Sequence, residues 1–490
     1  MTKLYTNREI RQIEKLHIAG DEEAAFALMC SAGQAAFETL RINWPDAKKI
    51  IICCGGGNNG GDGYVVAQLA HQHGIDVDVY SMCPLDALSG VAKTAAEHCL
   101  GAGVVFTEFH PDLAFAADVV VDALLGTGLK NEVSGAYVDC INNINASDVP
   151  VLSLDTPSGL CVDSGCILGC AVQAYLTVTF IALKQGLFTG KGPTNAGVVE
   201  CHDLGIDKEL FEQVEHSSDL MEWESSKRFL QKRRKDMHKG DCGHVLVIGG
   251  DYGMGGAVRL AAEAAMRAGA GLVTVATRPE HVSVVSGSRP EIMCHQVLGK
   301  DDLAKLIKDV NVVVIGPGLG KTEWAQELLG FVLEQNLPKV LDADALNLLS
   351  QNPIKDESWV LTPHPGEASR LLDKGCQEIQ NNRFESALAI QEKYGGSIVL
   401  KGAGTIVQSS NKRPQICQAG NPGMASGGMG DILSGVIAGL LAQGLTQTQA
   451  AETGVLVHSK SADQAAEKGG ERGLLATDVI NCIRELVNPK

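Results

Sequence analysis

Short apolar runs, each closed by a glycine-rich or acidic turn, recur along the chain with helix-period stretches between them. Residues 48–80 show the unit. Apolar 48–54 leads into a glycine stretch at 55–63, then a helical pattern at 64–73 and a second apolar run at 75–80. A short continuous apolar run followed by a helix and another such run reads as a βαβ crossover in a parallel sheet buried on both faces. Runs at 118–125, 149–154 and 176–182 continue that sheet. A second series begins at 244–248 and continues at 272–276, 310–315, 340–342, 359–361, 398–400 and 405–407, with helical patterns such as 257–268 between most of them. Both halves therefore read as α/β.

Two series fit the length, because 490 residues exceed what one hydrophobic core usually serves. Between them the chain turns polar, with Glu-His-Ser-Ser-Asp and Lys-Arg-Arg-Lys-Asp. The expected division is a first domain at 1–215, a solvated linker at 216–235 and a second domain at 236–490. The formal charge of -17 opposes non-specific attraction to nucleic acid or anionic lipid. With no apolar leader pattern at the start and no run of about 18 apolar residues, a cytoplasmic protein is expected. The fifteen cysteines include several inside apolar runs (Cys53, Cys54, Cys140) and no CxxC pair, so reduced thiols are expected.

In the first half, Gly55-Gly56-Gly57-Asn58-Asn59-Gly60 fits GxGxxG between a strand and a helix, where backbone N–H groups can face a phosphate. Alone this match is weak. A structural glycine turn explains the glycines but not Asn58, Asn59 and Asp62, which suggest a lined pocket. Two more strand ends carry acids, Asp122 before Gly126 and Asp155 in Asp-Thr-Pro-Ser-Gly. Each could simply cap a turn. Three such ends on one edge of a parallel sheet favour a shared cleft.

These segments together resemble the NAD(P)H-hydrate epimerase domain over about 1–215, and that resemblance implies a Rossmann-like three-layer sandwich. It further implies that Asn58, Asn59, Gly60, Gly61, Asp62, Gly126, Thr127, Gly128, Leu129, Lys130, Asn131, Glu132 and Asp155 contact a hydrated nicotinamide nucleotide. By the same resemblance Asn59, Asp122 and Ser158 hold K+, a cation suited to hard oxygen ligands. Asp155 is then the candidate acid/base at the hydrated carbon.

In the second half, 421–431 reads Asn-Pro-Gly-Met-Ala-Ser-Gly-Gly-Met-Gly-Asp before an apolar helix. Asp431 is expected to cap that helix while the N–H groups of 427–430 form an anion hole beside it. Donors for developing charge next to a carboxylate base suit phosphoryl transfer. Lys401-Gly402-Ala403-Gly404-Thr405 adds a cation and hydroxyl for nucleotide phosphates. Residues 316–322, Gly-Pro-Gly-Leu-Gly-Lys-Thr, are no P-loop, because GxxxxGK[ST] needs four residues between its glycines and this segment has three.

Residues 249–257, 316–320, 341–347, 362–367 and the Asp431 loop resemble, in that order, the ADP- or ATP-dependent NAD(P)H-hydrate dehydratase domain over about 230–490. The implied fold is a ribokinase-like α/β domain. Position by position, Ala257, Gly318 and His364 would contact the hydrate, Lys401 to Thr405 and Gly430 the adenylate, and Asp431 the hydrate hydroxyl. His364 could equally finish a turn between two prolines, and Asp342 and Asp344 could equally satisfy loop backbone. The resemblances imply a bifunctional enzyme that epimerises the hydrates NADHX and NADPHX and dehydrates the S form. ADP, with Mg2+, is the expected donor, and the protein is expected to be a homo-oligomer. The alternative is an ATP-dependent small-alcohol kinase with a non-catalytic nucleotide-binding module in front.

Overall fold

The computed structural model describes residues 2–489. Two compact units emerge, Lys3–Ser218 and the chain from Asp219 onward. Eight strands lie before residue 218: β1 (Thr2–Leu4), β2 (Lys49–Cys54), β3 (Asp76–Ser81), β4 (Phe106–Glu108), β5 (Val119–Ala123), β6 (Val151–Leu154), β7 (Leu176–Phe180) and β8 (Val198–His202). Seven of them form the N-terminal sheet in the order β4-β3-β2-β5-β6-β7-β8, parallel throughout. Strand order reverses between β2 and β5, the place where a doubly wound sheet leaves a crevice at its carboxyl edge. Alternation along β2 makes the sheet the middle of three layers. Ile50, Ile52 and Cys54 join one hydrophobic cluster, and Ile51 and Cys53 join the cluster on the other face.

Ten strands follow: β9 (Ser218–Leu220), β10 (His244–Ile248), β11 (Leu272–Thr277), β12 (Met293–Gln296), β13 (Val312–Ile315), β14 (Lys339–Leu341), β15 (Trp359–Leu361), β16 (Ser397–Leu400), β17 (Thr405–Ser409) and β18 (Gln415–Cys417). Their order is β9-β18-β17-β16-β15-β14-β13-β10-β11-β12. The strands from β12 across to β16 are parallel, while β17 pairs antiparallel with both neighbours. Val245 and Val247 of β10 pack under helices Gly255–Ala268 and Met429–Ala442, whereas Leu246 and Ile248 pack on the other face with Leu328, Leu346 and Leu371. Each such fully buried aliphatic side chain contributes about 1.5–3 kcal/mol.

The stretch 216–235 differs from the expected linker. Asp219 and Leu220 pair in parallel with Gln415 and Ile416, helix Trp223–Lys227 follows, and Leu220 and Met221 are buried. These two apolar residues, set among charges, give that segment a place in the C-terminal sheet. All fifteen cysteines are free thiols. Among the described residues no helix is long and apolar enough to cross a membrane.

Candidate active sites

The N-terminal site begins with a difference from the expected loop. Helix Asn58–Gln72 starts directly from Gly57, so 58–63 form its first turns. Small residues are required there because the helix presses on its surroundings. A Cβ on Gly60 would lie 1.9 Å from the Gly55 carbonyl oxygen, and one on Gly61 would lie 2.5 Å from Met29 Cε. Gly60 and Gly61 thus pack closely against these neighbours, in the helix turn that borders the cavity. Asn58, Asn59 and Asp62 do line it, with 126–132 and Asp155, around a volume of about 940 Å3.

Asp155 follows β6 in the left-handed region at φ 64°. Such strain costs about 1–3 kcal/mol and persists where the surroundings over-determine it. Here the Asp155 N–H donates to the Val178 carbonyl at 2.7 Å, and Thr179 Oγ1 donates to the Asp155 carbonyl at 2.8 Å. Lys184 Nζ donates to Asp155 Oδ1 at 2.5 Å, to Thr179 Oγ1 at 2.8 Å and to the Phe180 carbonyl at 2.7 Å. With all three protons used, the fully buried lysine fixes one carboxylate oxygen of Asp155. Oδ2, the other oxygen, faces Gly126. Two further acids join the cavity. Burial first, then the charges of Asp155 and Glu14, pushes the Asp62 carboxyl well up, and burial and Asp155 likewise push Glu14 up.

Asp122, at the end of β5, is fully buried and accepts from Ser153 Oγ (2.8 Å), Ser158 N–H (2.9 Å), Ser158 Oγ (2.5 Å) and Leu124 N–H (3.3 Å). Burial holds its carboxyl above the ordinary range despite these bonds. Asn59 is buried with neither amide atom hydrogen-bonded. Its side chain lies against Gly126, and an amide oxygen, a carboxylate and a serine hydroxyl are hard oxygen donors of the kind an alkali cation takes.

The C-terminal site gathers at the ends of β14, β15 and β16. Asp342 accepts from Lys401 Nζ at 2.9 Å and from Ser434 Oγ at 2.8 Å, and Glu367 Oε2 lies 3.7 Å from the same Nζ. Burial opposes ionisation of Asp342, but the Lys401 charge and the hydrogen bonds hold its carboxyl below the usual range. Asp431 fares differently. Burial and then the Asp342 charge raise it to about 7, against a partial offset from Lys401. Asp431 is the third residue of helix Met429–Ala442 and not its cap. Gly428, left-handed at φ 91°, occupies the capping position. A Cβ on Gly430 would lie 3.2 Å from Lys401 Nζ, which places that glycine against the cation.

The turn after β16 is held from inside. Buried Arg383 donates from Nη2 to the Leu400 carbonyl (3.2 Å) and the Gly404 carbonyl (3.3 Å), and from Nη1 to the Lys401 carbonyl (3.4 Å). Gly402 and Ala403 are thereby presented outward, and Thr405 Oγ1 donates to the Gly402 carbonyl at 3.0 Å. Ala257 and Gly318 also converge, since a Cβ on Gly318 would lie 3.2 Å from Ala257 Cβ. Helix Gly255–Ala268 runs beside helix Met429–Ala442, with Gly435 against Ala261 and Gly439 against Ala265. Counting back four residues on each puts Ala257 level with Asp431. His364 caps helix Pro365–Leu372, its Nδ1 accepting from the Gly366 N–H at 2.9 Å. Asp344 accepts from the Gly320 N–H at 2.9 Å, the backbone role allowed for it, whereas Asp342 pairs with the lysine.

Lys184, Glu14, Arg11 and Arg383 did not emerge from the sequence reading. None sits in a glycine-rich segment. Arg11 and Glu14 reach the cavity from helix Asn7–Ile18, far away in the chain. For Lys184 the one available signal was a lysine directly after the apolar run 176–183.

This architecture defines a two-unit α/β enzyme class: a parallel-sheet unit with an acid-lined cleft, then a unit with a carboxylate–lysine cluster at the strand ends. The second unit is similar to a ribokinase-like superfamily protein from Enterococcus faecalis at 30% identity and TM-score 0.52, covering 56% of this chain and 98% of that one. The NAD(P)H-hydrate dehydratase family model matches 245–485, and the model described as the YjeF-related protein N-terminus matches 25–186. A bifunctional NAD(P)H-hydrate repair enzyme of Coxiella burnetii is 55% identical over the whole of both chains. The ADP/ATP-dependent NAD(P)H-hydrate dehydratase from Bacillus subtilis, co-crystallized with ATP/Mg2+, is 29% identical at TM-score 0.51, covering 55% of this chain and 97% of that one. The chain belongs to the family of bifunctional NAD(P)H-hydrate repair enzymes.

Proposed function

We propose that the N-terminal unit epimerises the R and S hydrates of NADH and NADPH, and that the C-terminal unit dehydrates the S form with ADP as phosphoryl donor. The observation that carries this reading is Asp431, a carboxylate titrating at about 7 beside the Lys401–Asp342 pair. A base works best when its pKa lies near the operating pH. Asp431 takes the proton of the hydrate hydroxyl as that oxygen attacks the terminal phosphoryl group. Lys401 and the N–H groups of 427–430 meet the charge that develops on the transferred group. Phosphate then leaves with the former hydroxyl oxygen, the adjacent ring carbon gives up a proton, and the C=C bond of the dihydropyridine is restored. Ala257, Gly318 and His364 hold the hydrate, and the Lys401 to Thr405 turn with Gly430 holds the adenylate. Mg2+ accompanying the nucleotide would shield phosphate charge, an expectation supported by the ATP/Mg2+ co-crystallized with the Bacillus subtilis dehydratase.

In the N-terminal unit Asp155 moves the proton at the epimerising centre through Oδ2, while Lys184 fixes Oδ1. Asn58, Asn59, Asp62 and residues 126–132 enclose the hydrated ring. Asn59, Asp122 and Ser158 would hold K+, which would supply positive charge for the nucleotide phosphates. Homo-oligomerisation belongs to the same proposal. The test is to incubate the enzyme with mixed hydrate epimers and ADP, ATP or no nucleotide, following the return of reduced-nicotinamide absorbance. ADP-dependent recovery of both epimers is expected. Recovery of neither epimer with either nucleotide overturns the reading, and a stable phosphorylated product would point to a small-alcohol kinase.

A further inference from the structure

Residues 159–168 form a tight hairpin on the N-terminal unit. Leu160 bridges antiparallel to Ile167, and the Cys161 N–H donates to the Cys166 carbonyl at 2.9 Å, as does the Leu168 N–H to the Gly159 carbonyl. Cys161 and Cys166 are therefore directly opposed across the hairpin, with side chains on one face. Opposed residues of an antiparallel pair have Cα atoms about 4.5–5.5 Å apart, within the roughly 4.4–6.8 Å that disulfides span. The hairpin is held on both sides: the Asn7 N–H donates to Asp163 Oδ1 at 2.6 Å, the Gly186 N–H to the Val162 carbonyl at 2.7 Å and the Lys191 N–H to the Gly165 carbonyl at 2.8 Å. Ser164 Oγ, 3.0 Å from Cys166 Sγ, fixes that side chain. Both thiols are partly accessible.

We propose that Cys161 and Cys166 form a peroxide-reactive dithiol, an oxidation site in which Cys161 is the attacking sulfur and Cys166 the resolving one. Reactivity follows thiolate character and access. The neighbouring Cys166 thiol draws Cys161 below the ordinary thiol range although burial opposes it, while Cys166 is pushed up. Elsewhere burial alone raises Cys99 and Cys294 and leads the rise of Cys54. Adjacent Cys53 and Cys54 cannot compete as a pair, because successive strand residues point to opposite faces.

The Cys161 thiolate attacks hydrogen peroxide, an S–O bond forms and the O–O bond breaks, leaving a sulfenic acid and hydroxide. Cys166 sulfur then attacks the sulfenic sulfur, the S–S bond forms, the S–O bond breaks, and the second water departs with the Cys166 proton. Two thiols and one peroxide give one disulfide and two waters. A small dithiol reverses the oxidation.

The test is independent of either proposed activity. The reduced full-length protein is titrated with hydrogen peroxide, alkylated and peptide-mapped by mass. The peptide holding both cysteines should lose two hydrogens before any other cysteine reacts, and dithiothreitol should restore them. Cys166→Ser should leave a sulfenic acid at Cys161 that dimedone captures, and Cys161→Ser should leave Cys166 unreactive. Earlier oxidation of exposed Cys201 or Cys376 with this peptide still reduced overturns the proposal, as does undiminished oxidation of Cys166 in Cys161→Ser. Because the first measurement uses the unaltered protein, it stands even if a variant misfolds.

Discussion

Replacing Asp431 with asparagine should abolish dehydration and at the same time stabilise the C-terminal unit, with a pH dependence that reports the carboxylate directly. The folded carboxyl titrates at about 7 against an ordinary 3.8. Below the lower value both folded and unfolded chains hold the proton. Between the two the folded chain keeps it and the unfolded chain releases it, so stability falls as pH rises. Above about 7 both are ionised and the folded state carries the whole penalty of a buried charge facing Asp342. At about 1.4 kcal/mol per pH unit the interval amounts to about 4 kcal/mol. Asparagine mimics the protonated form, so the variant should match the parent near pH 4 and exceed it by up to about 4 kcal/mol at pH 8. For a domain of this size that corresponds to roughly 10 °C in melting temperature. Thermal unfolding of both full-length proteins across that range supplies the difference, in which the titration of groups that do not interact with Asp431 cancels. In parallel, dehydration by the parent should rise roughly tenfold from pH 6 to 8 as the base ionises. A parent-to-variant difference that stays constant from pH 4 to pH 8 would refute both the burial argument and the assignment of the base.

Three other outcomes follow from the packing and the charges. Asp155→Asn should slow epimerisation by about two to four orders of magnitude while S-hydrate dehydration continues; an epimer-resolved assay reads both, and unchanged epimerisation removes Asp155 from its role. Lys184→Met should cost the N-terminal unit about 3–5 kcal/mol, seen in its melting transition, because Asp155 Oδ1 and the Phe180 carbonyl lose a buried donor. Gly60→Ala should destabilise by about 1–3 kcal/mol or more and weaken epimerisation, since the Gly55 carbonyl must yield and Asn59 turns with it; a variant that melts like the parent contradicts the close approach.

Strand ends were the legible part of this protein. Apolar runs closed by Asp122, Asp155 or the Asp342 turn revealed both sheets and the edge on which the sites lie, because burial on both faces writes a strand as a continuous hydrophobic run. Short polar strands escaped notice: Met293–Gln296 and Ser218–Leu220 carry no continuous apolar run, and only pairing with a neighbour defines them. Glycines misled in a specific way. At 58–63 they read as a loop, yet they open a helix that needs their small size, Gly60 against Gly55, Gly61 against Met29 and Gly63 against Cys54 of β2. Lys184 and Arg383 were invisible for another reason. Each acts through hydrogen bonds to residues brought close only by the finished sheet, so no local spacing announces them.

His364 carries a consequence for the order of proton movements. Its Nδ1 is occupied as an acceptor for the Gly366 N–H, and burial first, then the Lys401 and Arg370 charges, holds the ring below the ordinary imidazole range. A neutral imidazole with Nδ1 accepting is fixed in one tautomer, with its hydrogen on Nε2. In that tautomer the ring keeps no free acceptor, and its donor, Nε2, lies 3.4 Å from Glu367 Oε1. In a site where histidine would be the first suspect for accepting a proton, the cap of one short helix removes it from contention and leaves that task to a carboxylate.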